Sequence, residues 1–242
     1  RYTFLGFDPK LQITAAGSKL KIGSVEMETD DPSEQIRKIL SQYRSPKFDY
    51  LPSFTGGLVG YFSYDFLSYS EKTLRIDTED TENFKDVDLM LFDKVIAFDN
   101  FRQKIILIAN MSLEDPETGY NKAKLELKQI ADLLRKGTPK KETGGHLTSE
   151  ATALFSKEQY CAMVEKAKHH IKEGDIFQIV LSNRLSADFE GSLLNTYRIL
   201  RTINPSPYMF YFSGTDVEIA GASPETLVKL EDGVLHTFPL AG

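Results

Sequence analysis

The run DVDLMLFDKVIAFDN at 86–100, followed by RQKIILIANM at 102–111, limits the fold more than any other stretch of this chain. Both halves are rich in β-branched and large apolar residues, and Asp99-Asn100 stands between them as a turn signal. They read as a long antiparallel hairpin. The surrounding residues follow the same habit. YTFLGFDP and LQITAAGSKLKIGSVEM read as short antiparallel strands turning at Asp8-Pro9 and Gly17-Ser18. FTGGLVGYFSYDF carries Gly56, Gly57 and Gly60 between aromatic residues, where glycine allows close backbone approach and tight bends. A phosphate-cradling role for these glycines is the weaker reading, because their flanks are aromatic strands. Two helices interrupt the strands. One opens at Pro32-Ser33 and runs to about Tyr43, with Ile36, Ile39 and Leu40 on one face. The other spans about Gly119 to Arg135, with Leu125, Ile130, Leu133 and Leu134 on its inner side.

Residues 137–150, GTPKKETGGHLTSE, are polar and read as a linker between an N-terminal lobe (1–136) and a C-terminal lobe (151–242). Ser156 and Gln159 form a capping box for a helix that runs to about Glu173 and stops at Gly174. Tyr160, Met163, Val164, Ala167 and Ile171 face inward on it. FQIVLSNRL then reads as a strand and LLNTYRILRTI as a helix ended by Asn204-Pro205. YMFYF, EIAGAS, ETLVKLED and VLHTFPL read as four further strands. Strands in sequence with few helices indicate an α+β chain with large, mainly antiparallel sheets and helices on the outside.

With 41% hydrophobic residues, the 242-residue chain can bury roughly 70–75% of its unfolded surface. Its 35 acidic residues exceed its 29 scattered basic ones, so there is no electrostatic footprint for nucleic acid. No apolar run reaches the ~18–20 residues that span a bilayer and no signal peptide opens the chain, so a cytoplasmic location is expected. Cys161, the single cysteine, excludes an internal disulfide and a cysteine-based zinc cluster, and is expected to be a buried, inert thiol. There is no P-loop, Rossmann glycine pattern or HExxH. The adjacent His169 and His170 point about 100° apart on a helix and cannot converge on one ion. They are expected to be exposed near its C-terminus. No Mg²⁺-type pattern appears among the acidic residues, and no metal ligand is assigned.

Four motifs follow one another after Gly174: GDIFQIVLSNRL, NPSPYMFYF, GASPE and a terminal FPLAG. With RYTFLGFDP at 1–9 and GGLVGYFSYDF at 56–66, they resemble the large subunit of anthranilate synthase, in the family of chorismate-binding enzymes. The similarity runs along essentially the whole chain. It implies the anthranilate synthase-like fold, here truncated at its C-terminus, and an N-terminus that is also cut. The implied reaction is that of a lyase in tryptophan biosynthesis, turning chorismate and ammonia into anthranilate and pyruvate with Mg²⁺ as cofactor. A glutamine amidotransferase subunit would supply the ammonia, since Cys161 has no nucleophile context.

The resemblance also assigns roles. Gln178 stands where related water-adding enzymes carry a lysine base. Its amide can only hydrogen-bond, which suits ammonia, already a nucleophile. Glu225 in GASPE is the carboxyl group near the chorismate C4 hydroxyl, an acid in a dry pocket assisting departure of that group as water. Ala241 and Gly242 approach a substrate carboxylate through the backbone. Para-aminating relatives often place a lysine nucleophile where Ala241 stands, so alanine favours the ortho-aminating, anthranilate-forming branch. Asn204, Pro207, Tyr208 and Met209 fall where similar enzymes bind tryptophan as feedback inhibitor. The family's Mg²⁺ glutamates and its carboxylate-binding histidine and arginine follow the PLAG motif, so the chain alone is expected to be inactive. Two alternatives stay open: the large subunit of aminodeoxychorismate synthase, and a tryptophan-binding regulatory module without catalysis.

Overall fold

The computed structural model describes residues 1–74, 80–141 and 143–239. They form two compact units, Arg1–Pro139 and Lys140–Gly242. Both combine helices with antiparallel sheets, so the α+β expectation holds.

The first unit contains β1 (Tyr2–Leu5), β2 (Leu11–Ala16), β3 (Lys19–Ile22), β4 (Val25–Glu28), α1 (Pro32–Gln42), β5 (Gly57–Phe62), the short α2 (Leu67–Ser70), β6 (Val87–Phe92), β7 (Lys94–Asp99), β8 (Lys104–Ala109) and α3 (Pro116–Lys136). A five-stranded sheet runs in the order β4-β3-β2-β6-β5, and a three-stranded one in the order β1-β7-β8. The long hairpin expected at 86–111 is therefore only half right. Its second part is a hairpin, with Lys94 opposite Ala109 and Asp99 opposite Lys104. β6 instead leaves for the other sheet, between β2 and β5. Val87 through Leu91 are all buried, which a strand with one wet face cannot satisfy and a central strand covered on both faces can. Asp93 marks the crossing, its carbonyl accepting from the Asn110 backbone N–H at 2.8 Å and from the Asn110 side chain at 3.1 Å.

The core of the larger sheet joins Ile13, Ala15, Leu20, Val87 and Leu89 to Ile36 of α1, with Ile39, Met27 and Phe66 packed around it. Full burial of one such aliphatic side chain contributes about 1.5–3 kcal/mol. α1 begins where Asp31 accepts from Ser33 N at 2.9 Å, with Pro32 in its first turn. α3 starts earlier than its periodicity suggested, because Asp115 caps it by accepting from Thr118 N at 3.2 Å. Its inner face also differs: Ala123 and Ile130 are buried, while Leu125, Leu133 and Leu134 are exposed. The small Ala123 faces inward, and the expectation had followed leucine size.

Asp99 closes the turn between β7 and β8 from a buried position, accepting from Phe101 N (3.2 Å), Arg102 N (3.0 Å) and the Arg1 guanidinium (3.2 Å). Burial alone would raise its pKa. The Arg102 N–H, the Arg1 charge and the Phe101 N–H outweigh it and hold the carboxyl below the usual carboxylate range. A depressed folded pKa contributes stability above the unfolded value near 4, and the contribution is lost as pH falls through the folded value. Asp99→Asn is therefore expected to lower the first unit's Tm most at pH 7 and progressively less as pH falls below about 4, in parallel melts of the two proteins.

The second unit contains β9 (His146–Leu147), β10 (Thr152–Ala153), α4 (Lys157–Glu173), β11 (Leu185–Ser186), β12 (Phe189–Glu190), α5 (Leu193–Ile203), β13 (Tyr208–Ser213), β14 (Glu218–Ser223), β15 (Lys229–Glu231) and β16 (Val234–His236). Among the described residues each of its sheets has two strands. The capping box of α4 is present, and Gly174 ends the helix at φ +84°. His169 is exposed and His170 half-buried at its C-terminal end, with His170 Nδ1 2.8 Å from Asp175 Oδ2. Cys161 is exposed as well, which corrects the expected buried thiol. The covered face of α4 runs through Tyr160, Met163, Val164 and Ala167, and Cys161 sits about 100° around from Tyr160. Among the described residues no helix is long and apolar enough to cross a membrane.

Candidate functional site

The residues singled out by sequence lie in the second unit. α5 opens at Ser192, whose side chain accepts from Leu194 N at 3.2 Å, and closes at Asn204, whose N–H donates to Leu200 O at 2.9 Å. Asn204 and Pro207 are exposed in the loop that follows, and Met209 is half-buried at the start of β13. Between the two prolines the Ser206 hydroxyl oxygen is buried, without a hydrogen-bond partner among the described residues. β13 pairs with β14 in strict antiparallel register from Tyr208↔Ser223 to Ser213↔Glu218. Gly221 faces Phe210 there, and a Cβ on it would stand 2.3 Å from the Phe210 ring. The glycine of GASPE thus makes room for an aromatic ring.

β14 ends at Ser223, and Glu225 follows in an ST-type turn. The Ser223 hydroxyl accepts from Glu225 N and donates to Glu225 O, both at 3.3 Å. The Tyr208 hydroxyl meets the Thr226 hydroxyl across the sheet end. The loop carrying Asn204, Pro207, Tyr208 and Met209 is therefore tied to the turn carrying Glu225, a connection that sequence reading did not foresee. Glu225 itself is exposed, so the dry pocket expected around it is not formed by the described residues.

Gln178 lies on another element. FQIVLSNRL was expected to be a strand, and only Leu185–Ser186 is one, paired with Thr152–Ala153. Gln178 and most of its neighbours are exposed and carry no ladder. Side chains from the α4 side hold the stretch instead. The Tyr160 hydroxyl donates to Leu181 O at 3.1 Å, and the Asn183 amide brackets Phe155, donating to its carbonyl and accepting from its N–H. ETLVKLED and VLHTFPL are likewise trimmed to the short β15 and β16, joined by a left-handed Asp232-Gly233 turn. Ala241 and Gly242 lie outside the described residues.

One charged group of this region was missed. Glu218, at the start of β14, accepts from Leu193 N at 2.7 Å, the Tyr211 hydroxyl at 2.8 Å and the Ser192 hydroxyl at 3.3 Å. Its carboxylate sits on the N-terminus of α5, where free N–H groups and the helix dipole favour negative charge. The Leu193 N–H bond, stronger than the opposing burial, lowers its pKa. Burial and the bond to Glu218 raise that of Tyr211. In sequence its only signal is a lone carboxylate inside an otherwise apolar strand, VEIAGA.

The profile of the family described as chorismate binding enzyme matches residues 1–242, and the chain belongs to that family. Among its relatives, the anthranilate synthase component 1 of Acetivibrio thermocellus is 36% identical over 254 residues, covering 100% of this chain and 51% of the relative. The probable anthranilate synthase component 1 of Schizosaccharomyces pombe is 34% identical over 249 residues, covering 100% and 48%. The crystal structure of anthranilate synthase component I from Streptococcus pneumoniae TIGR4 superposes with a TM-score of 0.81 at 29% identity, over 97% of this chain and 53% of that one. The chain spans about half the length of the curated relatives it matches.

Proposed function

We propose that this chain is part of an anthranilate synthase large subunit. The complete enzyme adds ammonia to ring carbon C2 of chorismate while the C4 hydroxyl leaves as water, and then eliminates pyruvate. Chorismate and ammonia are thereby converted to anthranilate, pyruvate and water. The observation that carries this reading is identity of 34–36% along the entire chain to proteins named anthranilate synthase component 1.

The residue chemistry agrees with it. Gln178 offers an amide that orients a nucleophile without deprotonating it, which serves ammonia and would not serve water. Glu225 is the group that assists departure of the C4 hydroxyl. Its turn is held by the Ser223 hydroxyl and by the Thr226–Tyr208 contact. Ala241 offers no nucleophile and leaves ammonia as the group that attacks the ring. Ala241 and Gly242 meet a substrate carboxylate through the backbone. An amidotransferase subunit that hydrolyses glutamine supplies the ammonia. Tryptophan binds at Asn204, Pro207, Tyr208 and Met209.

The described residues contain no group of three or more His, Cys, Asp or Glu that could hold a metal ion. They do not fit Mg²⁺ by themselves, and none of these roles runs through it.

Product identity tests the reading. The complete protein, given chorismate, Mg²⁺ and ammonium, is expected to produce the fluorescence of anthranilate; a para-amino product would overturn the assignment. Residues 1–242 alone are expected to produce neither, and anthranilate from this chain would overturn the proposed inactivity.

A further inference from the structure

We infer, resting on the catalytic role proposed above for Glu225, that Glu218 is a positioning residue: its carboxylate fixes the start of α5 to the start of β14, and the frame closed in this way aims the turn that carries Glu225. Glu218 accepts from the Leu193 N–H at 2.7 Å and the Ser192 hydroxyl at 3.3 Å, both at the N-terminus of α5. It also accepts from the Tyr211 hydroxyl of β13 at 2.8 Å. One half-buried carboxylate thereby joins α5, β13 and its own strand.

The frame is pinned at both ends. α5 has 11 residues and rises about 16 Å. β14 has 6 residues and spans about 17 Å from Glu218 to Ser223. The helix packs on both strands, with the Tyr197 ring 6.0 Å from that of Tyr211. At the far end, the loop after Asn204 leads into Tyr208, whose hydroxyl meets Thr226 beside Glu225. The near end is reinforced by a parallel bridge from Gly144 to Ser192. A helix and a strand are rigid along their axes, so a slip at the Glu218 end is delivered to the Thr226 end.

Glu218 does more than cap a helix. Ser192 already caps α5 from within, accepting from Leu194 N at 3.2 Å, and the carboxylate adds bonds from a different element. β14, EIAGAS, carries no other charge, and a half-buried charge costs free energy unless its partners are in place. An aliphatic side chain at this position would avoid that cost. It could not supply directed bonds to Leu193, Ser192 and Tyr211, and these fix the helix at one place along the strand.

The test is a double-mutant cycle in the complete protein, with chorismate, Mg²⁺ and ammonium as reactants and anthranilate fluorescence as the readout. E218A is expected to lower kcat at least about tenfold, with KM for chorismate within about twofold of the parent. E218Q keeps the shape and most of the hydrogen bonds, and is expected to stay within about threefold. In an E225Q background, E218A is expected to cost less than about twofold, because a residue that acts through Glu225 has no group left to position. Y211F removes one of the three bonds and is expected to lower kcat about threefold. Parental kcat in E218A, equal losses in the two backgrounds, or a fall in kcat that only follows the folded fraction in a melt would overturn the proposal. If E218A does not fold, parental kcat in Y211F overturns it. A parental rate in E225Q alone would remove the role of Glu225 and this inference with it, which tells the two failures apart.

Discussion

Gly60→Ala is expected to destabilise the first unit by about 3 kcal/mol or more, a fall in Tm of about 10 °C. Gly60 sits in β5 opposite Leu89 of β6, and a Cβ on it would stand 1.9 Å from the Asp88 carbonyl oxygen and 2.9 Å from the Leu89 Cα. These are backbone atoms, which cannot swing aside as a side chain can. β6 is also fixed from its other edge, by five pairs with β2. The Asp88 side chain is fully buried and accepts from Gln12 Nε2 at 2.8 Å. Relief of the clash must therefore separate β5 from β6 or drag Asp88 from its partner. Gly17→Ala is the control. Gly17 has a left-handed φ of +55° and nothing within 4 Å of an added Cβ, so only the backbone preference is lost, about 1–2 kcal/mol. Urea melts of the two variants decide it: equal losses would mean that the close approach at Gly60 is not what demands glycine there.

The sequence makes that glycine legible as a packing device, and it shows element types wherever a local signal agrees with the final environment. The Ser156–Gln159 capping box, the Gly174 stop and the strands YMFYF and EIAGAS are local, and all are present. What sequence could not show is which sheet a buried strand enters. VDLMLF and KVIAF are equally apolar neighbours, and both become central strands with consecutive buried residues, Val87 to Leu91 and Val95 to Ala97, yet the first pairs with β2 and β5 and the second with β1 and β8. The failure at FQIVLSNRL has a related cause. A strand pattern predicts a ladder only if a partner strand is at hand, and Thr152–Ala153 offers two residues. At the site, the resemblance points to Gln178, Glu225 and the NPSPY loop one by one. The Tyr208–Thr226 contact and the Glu218 seat on α5 depend on strand register, which single motifs do not encode.

Glu225→Gln in the complete enzyme is expected to lower kcat for anthranilate formation by about 10²–10⁴-fold. The proposed work of Glu225 is to give a proton to the departing C4 hydroxyl, an interaction realised as the C–O bond breaks. A glutamine of the same shape keeps hydrogen bonds to that oxygen but has no acidic proton to transfer. Because the interaction is made in the transition state, kcat and kcat/KM are expected to fall together, with KM for chorismate little changed. The turn should survive the change, since its backbone is held by the Ser223 hydroxyl at Glu225 N and by the Thr226–Tyr208 contact next door. Glu231→Gln is the companion variant. Glu231 pairs with Lys229 on the exposed β15–β16 hairpin, and its loss removes a surface ion pair alone. Steady-state rates with ammonium as the nitrogen source separate the outcomes. A Glu225→Gln enzyme within tenfold of the parent would remove Glu225 from the proton transfer. A rise in KM at constant kcat would make it a binding group, and the departure of the C4 hydroxyl would then need another donor.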